Sequence, residues 1–120
     1  MGIYAPNYFP AERLDFTAGA AITAGQLVYI SAPNTVLPTS AATIAWVGAA
    51  AHDAASGTLV TVLAVGVHTL AASGAITAGA NVVAAAAGAV ADLAAGTNYA
   101  QVVGVALTTA AGNLVTVLFR

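Results

Sequence analysis

The side chains able to do chemistry are few enough to take one at a time. The chain has two histidines, His52 and His68, no cysteine or lysine, and four acids, Glu12, Asp15, Asp53 and Asp92. A protein metal centre needs clustered His, Cys or carboxylate ligands. Only His52 and Asp53 adjoin, and two donors hold a metal only partially. The pair therefore reads as structural, with Asp53 accepting turn hydrogen bonds ahead of Ser56-Gly57 and His52 closing a strand. Acyl transfer would need an activated nucleophile, yet Ser31, Ser40, Ser56 and Ser73 stand in turn contexts and no Gly-x-Ser-x-Gly elbow occurs. Glu12 and Asp15 flank Arg13, which favours a local ion pair over paired-carboxylate acid-base work. A phosphate loop of the Gly-x-x-x-x-Gly-Lys type is excluded by the missing lysine. The expectation is a protein with no catalytic, cofactor or metal site.

Function must then come from surfaces. The 120 residues suit a single domain, and 5% of them are charged, where a soluble monomer usually carries about a quarter. A net charge of -2 with no basic cluster leaves nucleic-acid binding and electrostatic membrane docking without a physical basis. Mean hydropathy is high at +0.91, but the uncharged stretch from Ala54 to Ala91 is broken by Ser56, Gly57, His68, Ser73, Gly74 and Asn81 and lacks Lys/Arg flanks, which argues against a membrane span. The start of the chain shows no export signal. A surface of Thr, Ser, Asn and backbone suits a permanent assembly.

The elements that present this surface are predicted to be strands. Alanine favours helix, and a reading by propensity alone makes 84–95 helical. Alternation such as Val60-Thr61-Val62-Leu63, with Ser-Gly, Ala-Gly and Pro-Asn signals every eight to twelve residues or so, instead has the cadence of an all-β fold. The predicted strands are 14–18, 26–31, 36–38, 44–52, 58–63, 65–71, 81–85, 89–93, 101–108 and 114–119, with hairpin turns near Ala87-Gly88 and Ala111-Gly112-Asn113. Trp46, the only tryptophan, has apolar neighbours that point to core burial.

The chain also repeats itself. Ala21-Ile22-Thr23-Ala24-Gly25 recurs 54 residues on as Ala75-Ile76-Thr77-Ala78-Gly79, and Val47-Gly48-Ala49-Ala50 is matched by Val103-Gly104-Val105-Ala106 at an offset of 56. Leu59-Val60-Thr61-Val62-Leu63 recurs as Leu114-Val115-Thr116-Val117-Leu118 at 55. Ordered matches with drifting offsets mean a duplication whose insertions lie in connections. The organisation expected is an N-terminal arm, 1–13, and one β-domain, 14–120, made of repeat 1 (about 14–67) and repeat 2 (about 68–120). The two units pack as a small barrel or sandwich, with Ile22 over Ile76, Val47 over Val103 and Leu59 over Leu114. The arm has no counterpart in the repeat. Pro6 and Pro10 favour extended chain, and Tyr4, Tyr8 and Phe9 are large anchors in a protein otherwise short of aromatics. It either docks onto a partner, with Tyr4, Pro6, Tyr8, Phe9, Pro10 and Arg13 as contact residues, or folds back to cap its own core.

The pattern Ala-Ser-Gly-Ala-Ile-Thr-Ala-Gly at 72–79, the segments Val82 to Ala86 and Val102 to Leu107, Val47-Gly48-Ala49-Ala50 with Asp53 to Gly57, and both Leu-Val-Thr-Val-Leu segments together resemble the tailed-phage capsid cement (decoration) proteins. The resemblance covers Leu14 to Arg120. It implies a β-rich virion protein, made in the host cytoplasm, that sits on the outside of an icosahedral head. Its partners would be the major capsid protein and further copies of itself, a trimer first and a dimer second. This chain departs from the family in carrying fewer Lys, Asp and Glu in its turns. A tail-tube or fibre component would share the composition but polymerise unaided, and a glycan-binding module would need exposed aromatics beside polar acceptors.

Overall fold

The computed structural model describes residues 13–119. Ten strands follow one another: β1 (Arg13–Ala18), β2 (Leu27–Ala32), β3 (Thr35–Pro38), β4 (Trp46–Ala50), β5 (Leu59–Leu63), β6 (Val67–Ala71), β7 (Asn81–Ala84), β8 (Val90–Asp92), β9 (Val102–Ala106) and β10 (Leu114–Phe119). The alanine-rich stretch predicted by propensity to be helical is strand and turn, because its Val and Ala alternate against neighbouring strands instead of along a helix.

β1 to β5 form a closed barrel in the order β1-β3-β2-β4-β5, and β6 to β10 form a second sheet in the order β6-β10-β9-β7-β8. The two ends of that sheet approach each other through a single bridge, Ala72 to Val90, at the place where Ala18 pairs Val36 in the barrel. Each ladder of the barrel has a counterpart in the second sheet. Phe16 pairs Val60 as Leu70 pairs Val115, Val28 pairs Pro38 as Val82 pairs Asp92, and Ala50 pairs Val62 as Ala106 pairs Val117. Even the irregularity recurs, with a bulge after Val28 between β2 and β4 and after Val82 between β7 and β9. Ile22 bridges Ala54, and Ile76 accepts the N–H of Ala110.

At those bulges the repeated Val-Gly motif finds its physical reason. A Cβ on Gly48 would overlap the Leu63 carbonyl oxygen, and one on Gly104 would overlap that of Leu118. In both halves the bulged strand crosses its neighbour's backbone at a distance that only glycine permits.

Two apolar clusters hold the structure. Val28, Val36, Val60 and Val62 with Ala18, Ile22, Ala50 and Ala54 fill the barrel. The other cluster lies inside the second sheet and takes in Leu27 and Ala49 of the barrel, which point outward from it, with Trp46 packed alongside. The halves are thus joined by a shared core. Around it Trp46 meets Phe119 at a ring-centroid distance of 5.9 Å, and His68 packs on Phe119 at 4.6 Å. Trp46 itself is only partly buried, less than the sequence suggests, since it packs against the border of this cluster and not within the barrel.

Several strands are shorter than expected. β4 starts at Trp46 because the Thr43 hydroxyl accepts the Ala45 N–H and turns the chain, leaving Ile44 68% exposed. It ends before His52, which has left the ladder for a turn. β6 begins after Gly66, whose φ of 104° bends the connection from β5. Residues 99–101 form a 3-10 turn ahead of β9, and 86–88 another in place of a simple hairpin turn between β7 and β8. The turn at Gly112-Asn113 has positive φ at both residues and mutual hydrogen bonds between Ala111 and Leu114, a two-residue type I′ hairpin.

Candidate functional site

Of the residues singled out for chemistry, His52, Asp53 and Asp15 come together around Thr61, and His68 lies in the other sheet. Both ring nitrogens of His52 are engaged: Nδ1 sits 2.8 Å from the Asp53 carbonyl and Nε2 accepts the Thr61 N–H at 3.2 Å, which assigns the proton to Nδ1 and leaves no free lone pair for a metal. The Asp53 carboxylate accepts the N–H of Ala24 at 2.8 Å, so it holds the 21–25 turn rather than its own. The second half does the same work with hydroxyls. Thr108 accepts the Thr116 N–H at 3.1 Å and Thr109 that of Ala78 at 3.2 Å. Since His52 matches Thr108 and Asp53 matches Thr109, the one adjacent His-Asp pair is a pair of turn braces.

His68 donates from Nε2 to the Val65 carbonyl at 2.9 Å while its ring packs on Phe119. Asp15 accepts the Thr61 hydroxyl at 2.7 Å across the β1–β5 ladder. Ser56 reaches the Gly19 carbonyl at 3.3 Å. Ser31 lies within β2, next to the bulge at Ile30 and Ala32, and not in a turn as its sequence context suggests. No group of three or more His, Cys, Asp or Glu able to hold a metal exists among the described residues.

Of the predicted contact residues, Tyr4, Pro6, Tyr8, Phe9 and Pro10 lie outside the described residues. Arg13 opens β1, exposed and paired with Leu63.

Sequence reasoning missed the most tightly built polar site. Among the described residues Thr39 is the buried polar one, at 1% exposure. Its hydroxyl donates to the Ala85 carbonyl at 2.8 Å, its own carbonyl accepts the Gly88 N–H at 3.0 Å, and Gln26 Nε2 donates to the Ala87 carbonyl at 3.1 Å. Gly88, at φ 72°, has no room for a Cβ against Gln26. These bonds fasten the turn between β7 and β8 onto the barrel. The sequence signal was Thr after Pro38, indistinguishable from an ordinary loop threonine.

An open dent of about 190 Å³, lined by Tyr29, Ser40, Ala41, Ala42 and Thr43, has no charged group. Large apolar side chains stand out elsewhere: Ile44, Leu59, Tyr99 and Leu114 are each more than half exposed. No helix among the described residues is long and apolar enough to cross a membrane.

The fold thus joins two β-units, with polar side chains that brace turns and with apolar residues exposed on strands and loops. The sequence profile of phage cement proteins matches residues 9–120, and the chain belongs to that family. Among solved structures it is similar to one described as head fiber gp8.5 N base in bacteriophage phi29, with a TM-score of 0.64 and 21% identity, covering 90% of this chain and 92% of that one. At that identity the likeness is one of fold. No curated protein matches.

Proposed function

We propose that this protein decorates and stabilises an icosahedral phage head by binding the outer surface of the major capsid protein lattice, as a trimer and without catalysis. The family match over 9–120 carries this reading. The structure supports it physically: a decoration protein acts through many copies of a modest contact, where multivalency supplies strength and no reactive group is needed. The matching ladders support a duplicated unit, 14–67 and 68–120, as the origin of the two halves.

In this reading the arm, Met1 to Arg13, is the capsid or neighbour contact, with Tyr4, Tyr8 and Phe9 as anchors, Pro6 and Pro10 keeping it extended, and Arg13, which is also the exposed first residue of β1, as a polar tether at the barrel. Fully burying an aromatic is worth roughly 2 kcal/mol, so loss of two anchors would weaken each contact by up to about a thousandfold.

The test adds purified chain to undecorated heads and measures bound copies. Binding to the outer surface in a ratio near that of the major capsid protein is expected, and absence of binding refutes the reading. A chain starting at Leu14 should keep its circular dichroism yet bind heads far more weakly. Undiminished binding would refute the arm's role, and loss of folding would show that it caps the core. Self-assembly into tubes or filaments without heads would favour a tail-tube or fibre role instead.

A further inference from the structure

The second sheet carries a face that the barrel does not share. Residues directly opposite in an antiparallel pair point to the same side. The β6–β10 register therefore gathers Val67 with Leu118, Thr69 with Thr116 and Ala71 with Leu114 on one outer surface. Val105 of β9 extends the first row beside Leu118. The surface is open, with Val67 at 55% and Leu114 at 53% exposure, and it bears no charge.

The same three positions of the β1–β5 ladder are Arg13 with Leu63, Asp15 with Thr61, and Thr17 with Leu59. On β10 the Leu-Thr-Leu outer residues are identical to those of β5, so the two faces differ on the first strand. Arg13 gives way to Val67, Asp15 to Thr69 and Thr17 to Ala71. A cation and an anion that keep the barrel's face wet are replaced by a methyl pair and a hydroxyl.

That change has a particular use. Where three copies meet around a threefold axis, the side chains nearest the axis converge on their own copies, so a lone charge there faces itself at a cost of several kcal/mol once desolvated. A foreign partner imposes no such demand, because it can answer a charge with its opposite. A charge-free face of Val, Leu, Ala and Thr fits further copies of this chain gathered around such an axis.

We propose that the outer face of β6 and β10 is the surface through which copies of this protein associate. The inference rests on the decoration reading for the number of copies, three, and specifies the face that the reading leaves open.

The experiment measures mass in solution without heads, by light scattering, so that its outcome is separate from head binding. Leu114→Glu and Thr69→Arg place a charge on the face at exposed positions. Leu59→Glu places one at the matching position of the barrel. The wild type and Leu59→Glu should show three times the chain mass, and the two face variants should fall threefold to the monomer with unchanged circular dichroism. A monomeric wild type, or face variants that keep the wild-type mass, would overturn the proposal. So would a Leu114→Glu protein that keeps its mass and loses only head binding, since the face would then belong to the capsid. An oligomeric wild type that cannot bind heads would sink the decoration reading and leave this one standing.

Discussion

Thr39→Val removes one hydroxyl and keeps the shape of the side chain, which makes it the sharpest probe of how the halves are joined. Thr39 is 1% exposed and its hydroxyl donates to the Ala85 carbonyl at 2.8 Å, 46 residues away. The net worth of such a bond is about 1 kcal/mol, and stranding a buried partner raises the cost to as much as about 3 kcal/mol. Ala85 is half-buried, so water can partly satisfy its carbonyl, and the added methyl recovers up to about 0.8 kcal/mol of burial. The expected loss is therefore about 1 kcal/mol, a roughly fivefold rise in the unfolded fraction. With a urea dependence of about 1 to 3 kcal/mol per molar, the midpoint should drop by about 0.3 to 1 M at unchanged slope. Thr39→Ser keeps the hydroxyl and loses the methyl. If Thr39→Val leaves the midpoint where it was, the bond does not join the halves. If Thr39→Ser lowers it as far, packing and not the hydroxyl is responsible.

Two further outcomes follow from paired positions. Gly48→Ala and Gly104→Ala each drive a Cβ into a backbone carbonyl of the neighbouring strand, so each should cost more than about 3 kcal/mol or prevent folding, and expression with urea midpoints checks it; two tolerated alanines would show that the bulges relax cheaply. Asp53→Ala and Thr109→Ala should each free one exposed turn N–H, of Ala24 and Ala78 respectively, for a cost below about 1 kcal/mol, with faster amide hydrogen exchange confined to that residue's turn.

Much of the fold was legible because strands alternate and turns announce themselves. The ten segments follow from Val/Thr alternation between Gly and Pro signals, and their ends went astray where a side chain or a glycine φ ended the ladder, as Thr43 does before Trp46 and Gly66 before Val67. Such local hydrogen bonds carry no periodicity to read. Trp46 reads as core from its neighbours, yet it is only partly buried, at the border of the cluster it packs against. Thr39 was invisible for the opposite reason: its partners are 46 and 49 residues distant, and nothing in a single sequence marks that approach. The arm residues, Tyr4 to Pro10, lie outside the described residues and stay a proposal.

The two halves also supply a way to separate bracing from function within one chain. Where matched positions differ in chemistry but keep the contact, the difference is silent. His52 and Thr108 each accept the N–H two residues into the following strand's outer row, and Asp53 and Thr109 each hold a turn, so an imidazole and a carboxylate that look reactive are interchangeable with hydroxyls. Where matched positions differ and the backbone pairing is the same, as with Arg13 and Val67 or Asp15 and Thr69, neither fold nor ladder requires the change. The bland face and the charged face are equally good outer walls for a β-unit. What separates them is the environment each is suited to: water or a partner that answers its charges for the charged one, and a surface as uncharged as itself for the other.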